Sequence, residues 1–97
     1  KAAVDSLTHS LRMELVDTAV RICTVDPGLV ETEFSEVRFR GDKERAKIVY
    51  QGFQPLTPDD VANTVVFCAT QPPHVQIAQV VLMPTNQAST TMVHRKT

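Results

Sequence analysis

The side chains able to do chemistry gather around one abrupt stop in the chain, Val25-Asp26-Pro27-Gly28-Leu29-Val30-Glu31-Thr32. Val20 to Val25 is a β-branched, near-continuous apolar run, the pattern of a strand covered on both faces. Pro27 forces Asp26 into an extended conformation and brings no amide proton, which predicts that the ladder ends there. Gly28 has no Cβ, so the chain can turn sharply and let another molecule approach its backbone. Ligands of open parallel sheets bind beyond the carboxyl ends of the strands, where this loop falls. Thr32 suits two roles: a short hydroxyl donor to such a ligand, or the cap of a short helix opened by Glu33-Phe34-Ser35. Arg38 and Arg40 lie further along a charged stretch. A guanidinium matches a carboxylate with paired bonds, although arginines in such a loop are more often solvated.

Other chemistries find little support. His9, His74 and His94 are scattered and form no metal-like cluster. Cys23 and Cys68 have no Cys-x-x-Cys spacing and read as small buried hydrophobes suited to a reducing cytosol; a disulfide between them stays open. The sequence holds no Gly-x-Gly-x-x-Gly loop, so nothing in it can grip the pyrophosphate of a dinucleotide.

The elements that must position the corner follow from periodicity. Val4, Leu7, Leu11 and Leu15 recur at three- and four-residue steps and predict a helix over Lys1 to Val16 with one apolar stripe. Ala3, Ser6, Ser10 and Met13 make a second face of mostly small side chains, open to a packed helix or to solvent. Residues 33–56 form a long insertion with aromatics at Phe34, Phe39, Tyr50 and Phe53, and its clearer helix spans Asp42 to Gln51. Long insertions of this kind are often lids or binding loops. Thr57-Pro58-Asp59-Asp60 is a well-formed helix start, with a capping hydroxyl, a proline in the first turn and carboxylates at the positive end of the dipole. Val61, Val65, Val66 and Ala69 supply that helix's buried stripe, and Pro72-Pro73 stops it. Ile77 to Met83 is a second strand, and residues 85–97 read as a polar tail. Helix, strand, crossover and strand make one βαβ unit. Two parallel strands cannot cover their own faces, which predicts a place in a wider sheet.

Lys1-Ala2-Ala3, Leu11-Arg12-Met13-Glu14-Leu15, Val20 to Val25, Pro27-Gly28 and Thr32, in this order, resemble the carboxyl-terminal part of a classical short-chain dehydrogenase/reductase. The resemblance runs the whole length of the chain. Glu31-Thr32-Glu33-Phe34-Ser35, Val37-Arg38-Phe39-Arg40-Gly41 and Pro84-Thr85-Asn86-Gln87 resemble the branch that oxidises serine and small 3-hydroxy acids. It implies an α/β fold: residues 1–97 as the carboxyl-terminal portion of a Rossmann-like doubly wound parallel sheet, with the N-terminal part lying before Lys1. It implies an oxidoreductase that moves hydride between NADP (or NAD) and a small hydroxy acid, assembled as a homodimer or homotetramer.

By the same resemblance Lys1 is the lysine of a Tyr-x-x-x-Lys motif, whose tyrosine would stand four places earlier. Residues four apart on a helix lie one above the other, and a fixed ammonium favours the phenolate. Lys1 would also bond the nicotinamide ribose. Pro27, Gly28 and Val30 would line the nicotinamide pocket, the Val30 backbone and Thr32 hydroxyl meeting the carboxamide. Residues 34–53 would close over the substrate, with Phe34 and Arg38 as contacts. On its own the chain is catalytically incomplete, and a non-catalytic cofactor-binding or oligomerisation module is the competing reading.

Composition sets the outer bounds. Ninety-seven residues, 42% of them hydrophobic, suffice for one small domain. A formal charge of −1 gives no electrostatic reason to expect nucleic acid or an anionic membrane. No apolar run approaches the ~20 residues of a membrane-spanning helix.

Overall fold

The computed structural model describes residues 2–31 and 47–96. Four elements follow in order: α1 (Ala2–Glu14), β1 (Thr24–Pro27), α2 (Pro58–Ala69) and β2 (Gln79–Leu82). The two strands are parallel, with Thr24 opposite Gln79 and Pro27 opposite Leu82. The connection between them carries a helical turn at 47–51 and then α2. The expected βαβ unit with a leading helix is therefore present.

Both strands are shorter than their apolar runs, and β1 is displaced along its run. Residues 20–23 do not pair, because the Ile22 N–H is taken by Gln76 Oε1 at 2.9 Å and the Arg21 side chain is drawn to the end of α2. At the other end the ladder passes through Pro27 rather than stopping there. Thr24 N–H donates to the Ala78 carbonyl and Gly28 N–H to the Leu82 carbonyl (2.6 Å). Alternate residues of a strand face opposite edges, so the nitrogen of Pro27 lies on the edge away from β2. Its missing proton costs this ladder nothing.

The start of α2 follows its sequence closely. Thr57 Oγ1 accepts from Asp60 N–H, and Asp60 Oδ2 accepts from Thr57 N–H at 2.8 Å, a reciprocal capping box. At the far end Arg21 donates to the Ala69 carbonyl, which the helix end leaves open, and to the carbonyls of Gln71, Pro72 and Val75 beyond it. Arg12 of α1 bonds the carbonyls of Ile22 and Ala78, both at 3.2 Å, fastening α1 to the entry of both strands.

The expected buried stripes are not buried. Neither helix contains a buried residue; Val4 and Leu7 on α1 are 57% and 60% exposed, and Val65 and Val66 on α2 are 48% and 58%. A two-stranded sheet offers too little surface to cover two helices. Cys23 is likewise exposed and Cys68 half-buried, both as free thiols, contrary to their reading as buried hydrophobes. Among the described residues, Pro55, Pro84 and Gln87 are the buried ones. All three lie in the segments that meet beyond the carboxyl ends of the strands, so the tightest packing sits at the Pro-Gly corner.

The segment after β2 is tied back to the rest of the chain. Gln87 and Val93 form an antiparallel bridge, and Lys96 N–H donates to the Gly52 carbonyl at 2.8 Å. Arg95 donates to the carbonyls of Ile48, Val49 and Gln51, and its guanidinium lies 5.1 Å over the Phe53 ring. Gly52 has a φ of 85°, a conformation that side chains resist, and the Lys96 backbone lies where its Cβ would be.

Candidate active-site corner

Pro27, Gly28 and Val30 stand at the carboxyl end of β1. Lys1, Thr32, Phe34, Arg38 and Arg40 lie outside the described residues. The described residues thus hold the Pro-Gly corner itself and the segments packed around it.

Three residues hold this corner, Leu56 through its backbone and Tyr50 and Gln87 through their side chains. Leu56 forms a parallel bridge with Val30: Glu31 N–H donates to the Leu56 carbonyl at 2.8 Å, and Leu56 N–H to the Leu29 carbonyl at 2.9 Å. In such a bridge the bonds come from the residues flanking Val30, so the N–H and carbonyl of Val30 itself point to the opposite side. Tyr50 Oη donates to that carbonyl at 2.9 Å. The Val30 N–H meets no acceptor among the described residues. Gln87 reaches in from the segment after β2, its Oε1 accepting from Leu29 N–H at 2.9 Å and its Nε2 donating to the Ser89 carbonyl at 3.1 Å.

Gly28 has a use that its sequence context does not announce. A Cβ there would collide with Gln87 Oε1 and press on Met83 Cγ at 3.3 Å. On that side the bare α-carbon makes room for a side chain of this chain. Tyr50 stands out in the sequence only as one aromatic of the long insertion, and Gln87 only as part of Pro84-Thr85-Asn86-Gln87. No local pattern marks a side chain that acts on a backbone 58 positions away.

Two cavities flank the sheet. One of about 460 Å³ opens at the carboxyl end of β2, between Leu56, Asn63, Met83 and Asn86. The other, about 560 Å³, lies between β1 and α2 and is lined by Cys23, Val25, Val65 and Cys68. Burial first, then a hydrogen bond and charge interaction with Cys68, push the Cys23 thiol above its ordinary value. Among the described residues no group of three or more His, Cys, Asp or Glu could hold a metal ion. No described helix is long and apolar enough to cross a membrane.

The parallel βαβ unit with a proline-glycine corner after its first strand matches the carboxyl-terminal portion of the short-chain dehydrogenase/reductase fold. No family model matches the sequence. Curated proteins do. The chain is 48% identical over 96 residues to an NADP-dependent 3-hydroxy acid dehydrogenase of Schizosaccharomyces pombe, covering 99% of this chain and 37% of that protein. It is 41% identical over 88 residues to the serine 3-dehydrogenase of Agrobacterium fabrum, covering 91% and 35%. A solved serine dehydrogenase complexed with NADP+ superposes with a TM-score of 0.87 at 44% identity, over 99% of this chain and 40% of that one. Within the short-chain fold, this chain is thus similar to the serine and 3-hydroxy acid dehydrogenases, and it spans between a third and two fifths of their length.

Proposed function

We propose that this chain supplies the nicotinamide-facing floor and the substrate-loop region of an NADP-dependent dehydrogenase acting on serine or a related small 3-hydroxy acid. The observation that carries the reading is the Val30 peptide: its N–H is turned away from the Leu56 bridge with no acceptor among the described residues. A carboxamide needs such a backbone donor beside it. The cofactor fits the residues present in this respect, and it supplies the hydride acceptor when bound.

The chain's own residues then divide the work. Pro27 and Gly28 would form the floor, and the Val30 N–H and the Thr32 hydroxyl would hold the carboxamide. By the resemblance, Lys1 would hold the nicotinamide ribose and would lower the pKa of a phenol placed one helical turn before it. Phe34 and Arg38 face the substrate, Arg38 pairing its carboxylate. The small-residue face of α1 at Ala3, Ser6 and Ser10 packs against its copy in a cytoplasmic homodimer or homotetramer.

The test is a fusion in which this chain replaces the matching part of the Schizosaccharomyces pombe relative. The fusion is expected to reduce NADP+ with serine or 3-hydroxybutyrate, seen as absorbance at the reduced nicotinamide band, whereas the 97-residue chain alone, which holds no phosphate-gripping loop, does not. A well-folded fusion with no turnover on any 3-hydroxy acid would leave the association-module reading in its place.

A further inference from the structure

We infer that Gln87 is a positioning residue for the nicotinamide site, an inference that rests on the dehydrogenase reading above. Gln87 is the one buried polar side chain among the described residues, at 9% exposure. Both ends of its amide are engaged, Oε1 by Leu29 N–H and Nε2 by the Ser89 carbonyl. Leu29 is the residue between Gly28 and Val30, so this bond fixes the peptide that carries the corner around to Val30. The same Oε1 occupies the space where Gly28 has no side chain. Pro84, buried one turn earlier, anchors the segment, with Gln87 N–H donating to the Pro84 carbonyl at 3.0 Å.

The consequence is that the Gly28–Leu29 peptide, one step before the Val30 N–H, is held from the carboxyl-terminal segment, while Leu56 holds the peptide that follows. With the amide gone, Leu29 N–H loses its acceptor and the Gly28–Leu29 peptide is released on that side, while the Leu29 carbonyl stays on Leu56 N–H. A donor that must meet a carboxamide within hydrogen-bond range loses most of its value after a displacement of ~1 Å. Gln87 touches neither cofactor nor substrate; it acts through Leu29.

Three variants of the active fusion test this. Gln87→Leu keeps bulk but no acceptor, and is expected to raise KM for NADP+ by roughly ten-fold, about one hydrogen bond's worth of affinity. KM for the hydroxy acid should move by less than about three-fold, and measurement well below the unfolding temperature separates the effect from lost stability. Gln87→Glu retains the acceptor and should recover most of the affinity. Gly28→Ala drives Oε1 off the same spot, so its effect and that of Gln87→Leu should combine to less than their sum. An active fusion in which Gln87→Leu lowers stability while KM for NADP+ stays at the parent value overturns the positioning role alone. A fusion inactive with Gln87 in place overturns the dehydrogenase reading and this inference with it.

Discussion

Tyr50 Oη donates to the Val30 carbonyl at 2.9 Å, joining the described end of the long insertion to the corner beyond β1. The Val30 peptide is thereby fixed from one side by a phenol and from the other by the Leu56 bridge. Tyr50→Phe removes the donor and leaves a half-buried carbonyl without it. A net loss of about 1 kcal/mol is expected in urea unfolding of the chain, the ordinary value of one such bond. In the active fusion the same change should raise KM for NADP+, since the Val30 N–H lies on the same side of the strand as the carbonyl that Tyr50 holds. An unaltered urea midpoint would show that the phenol contributes nothing to holding the corner.

Arg21 makes a second prediction. Its guanidinium reaches four carbonyls around the end of α2, from Ala69 at 3.1 Å to Val75 at 2.9 Å. A planar fork can serve several acceptors at fixed angles, and an ammonium on a flexible stem cannot. Arg21→Lys should therefore behave almost like Arg21→Ala despite keeping the charge. Each is expected to cost about 2 kcal/mol and to speed amide exchange over Phe67 to Val75. If Lys restores parent-like exchange, charge rather than the fork is what closes the helix.

How far the sequence discloses this arrangement depends on how local each cause is. Thr57, Pro58 and Asp60 act within one turn, and the capping box stands where their order places it. The Pro-Gly corner and the parallel pairing are legible for the same reason: apolar runs and strand breakers are short-range signals. The contacts of Gln87, Tyr50, Arg21 and Arg95 join segments that only the fold brings together, and glutamine, tyrosine and arginine are common surface residues. The apolar periodicity of α1 correctly marks a face at Val4, Leu7 and Leu11, but periodicity says which side is apolar, not whether anything lies against it. The register of β1 slips for a related reason. Nothing in Val20 to Val25 announces that Gln76 Oε1 will take the Ile22 N–H first.

The thiol of Cys23 gives a prediction in pH. Partial desolvation of the sulfur, although the residue as a whole is exposed, and the neighbouring Cys68 hold it protonated to a higher pH than an ordinary thiol, whose value is 9.0. Only the thiolate is alkylated, so iodoacetamide should label Cys23 more slowly than an unstructured cysteine at pH 8.5, with its half-maximal rate at higher pH. The folded state binds this proton more tightly than the unfolded one. Its contribution to stability is accordingly complete below the unfolded thiol's pKa and is lost as pH rises through the folded one. Cys68→Ala removes the hydrogen bond and the charge interaction together, and should bring the Cys23 profile down toward the ordinary value. A Cys23 profile that Cys68→Ala leaves unmoved would mean the two sulfurs do not interact.

Arg95 closes the chain over the turn at 47–51, through carbonyls at 2.8 Å (Val49) and 2.9 Å (Gln51) and through the face of Phe53. Lys96 N–H adds a backbone bond to Gly52, so the last residues act as a strap across the segment that carries Tyr50. Arg95→Ala removes the side-chain bonds and the ring contact, and with them about 2 kcal/mol from this local fastening. Because the strap holds the turn rather than the sheet, the loss should be local. Protease cleavage after Lys47 or Tyr50 is expected to accelerate by at least about ten-fold, the factor that ~1.4 kcal/mol gives to a local opening, while helix content changes little. Arg95→Lys tests the geometry: a lysine can lie over Phe53 but cannot reach the carbonyls of Ile48, Val49 and Gln51 as one fork. If cleavage at Tyr50 is as slow in Arg95→Ala as in the parent chain, the turn is held by the Lys96–Gly52 backbone bond and the guanidinium is incidental to it.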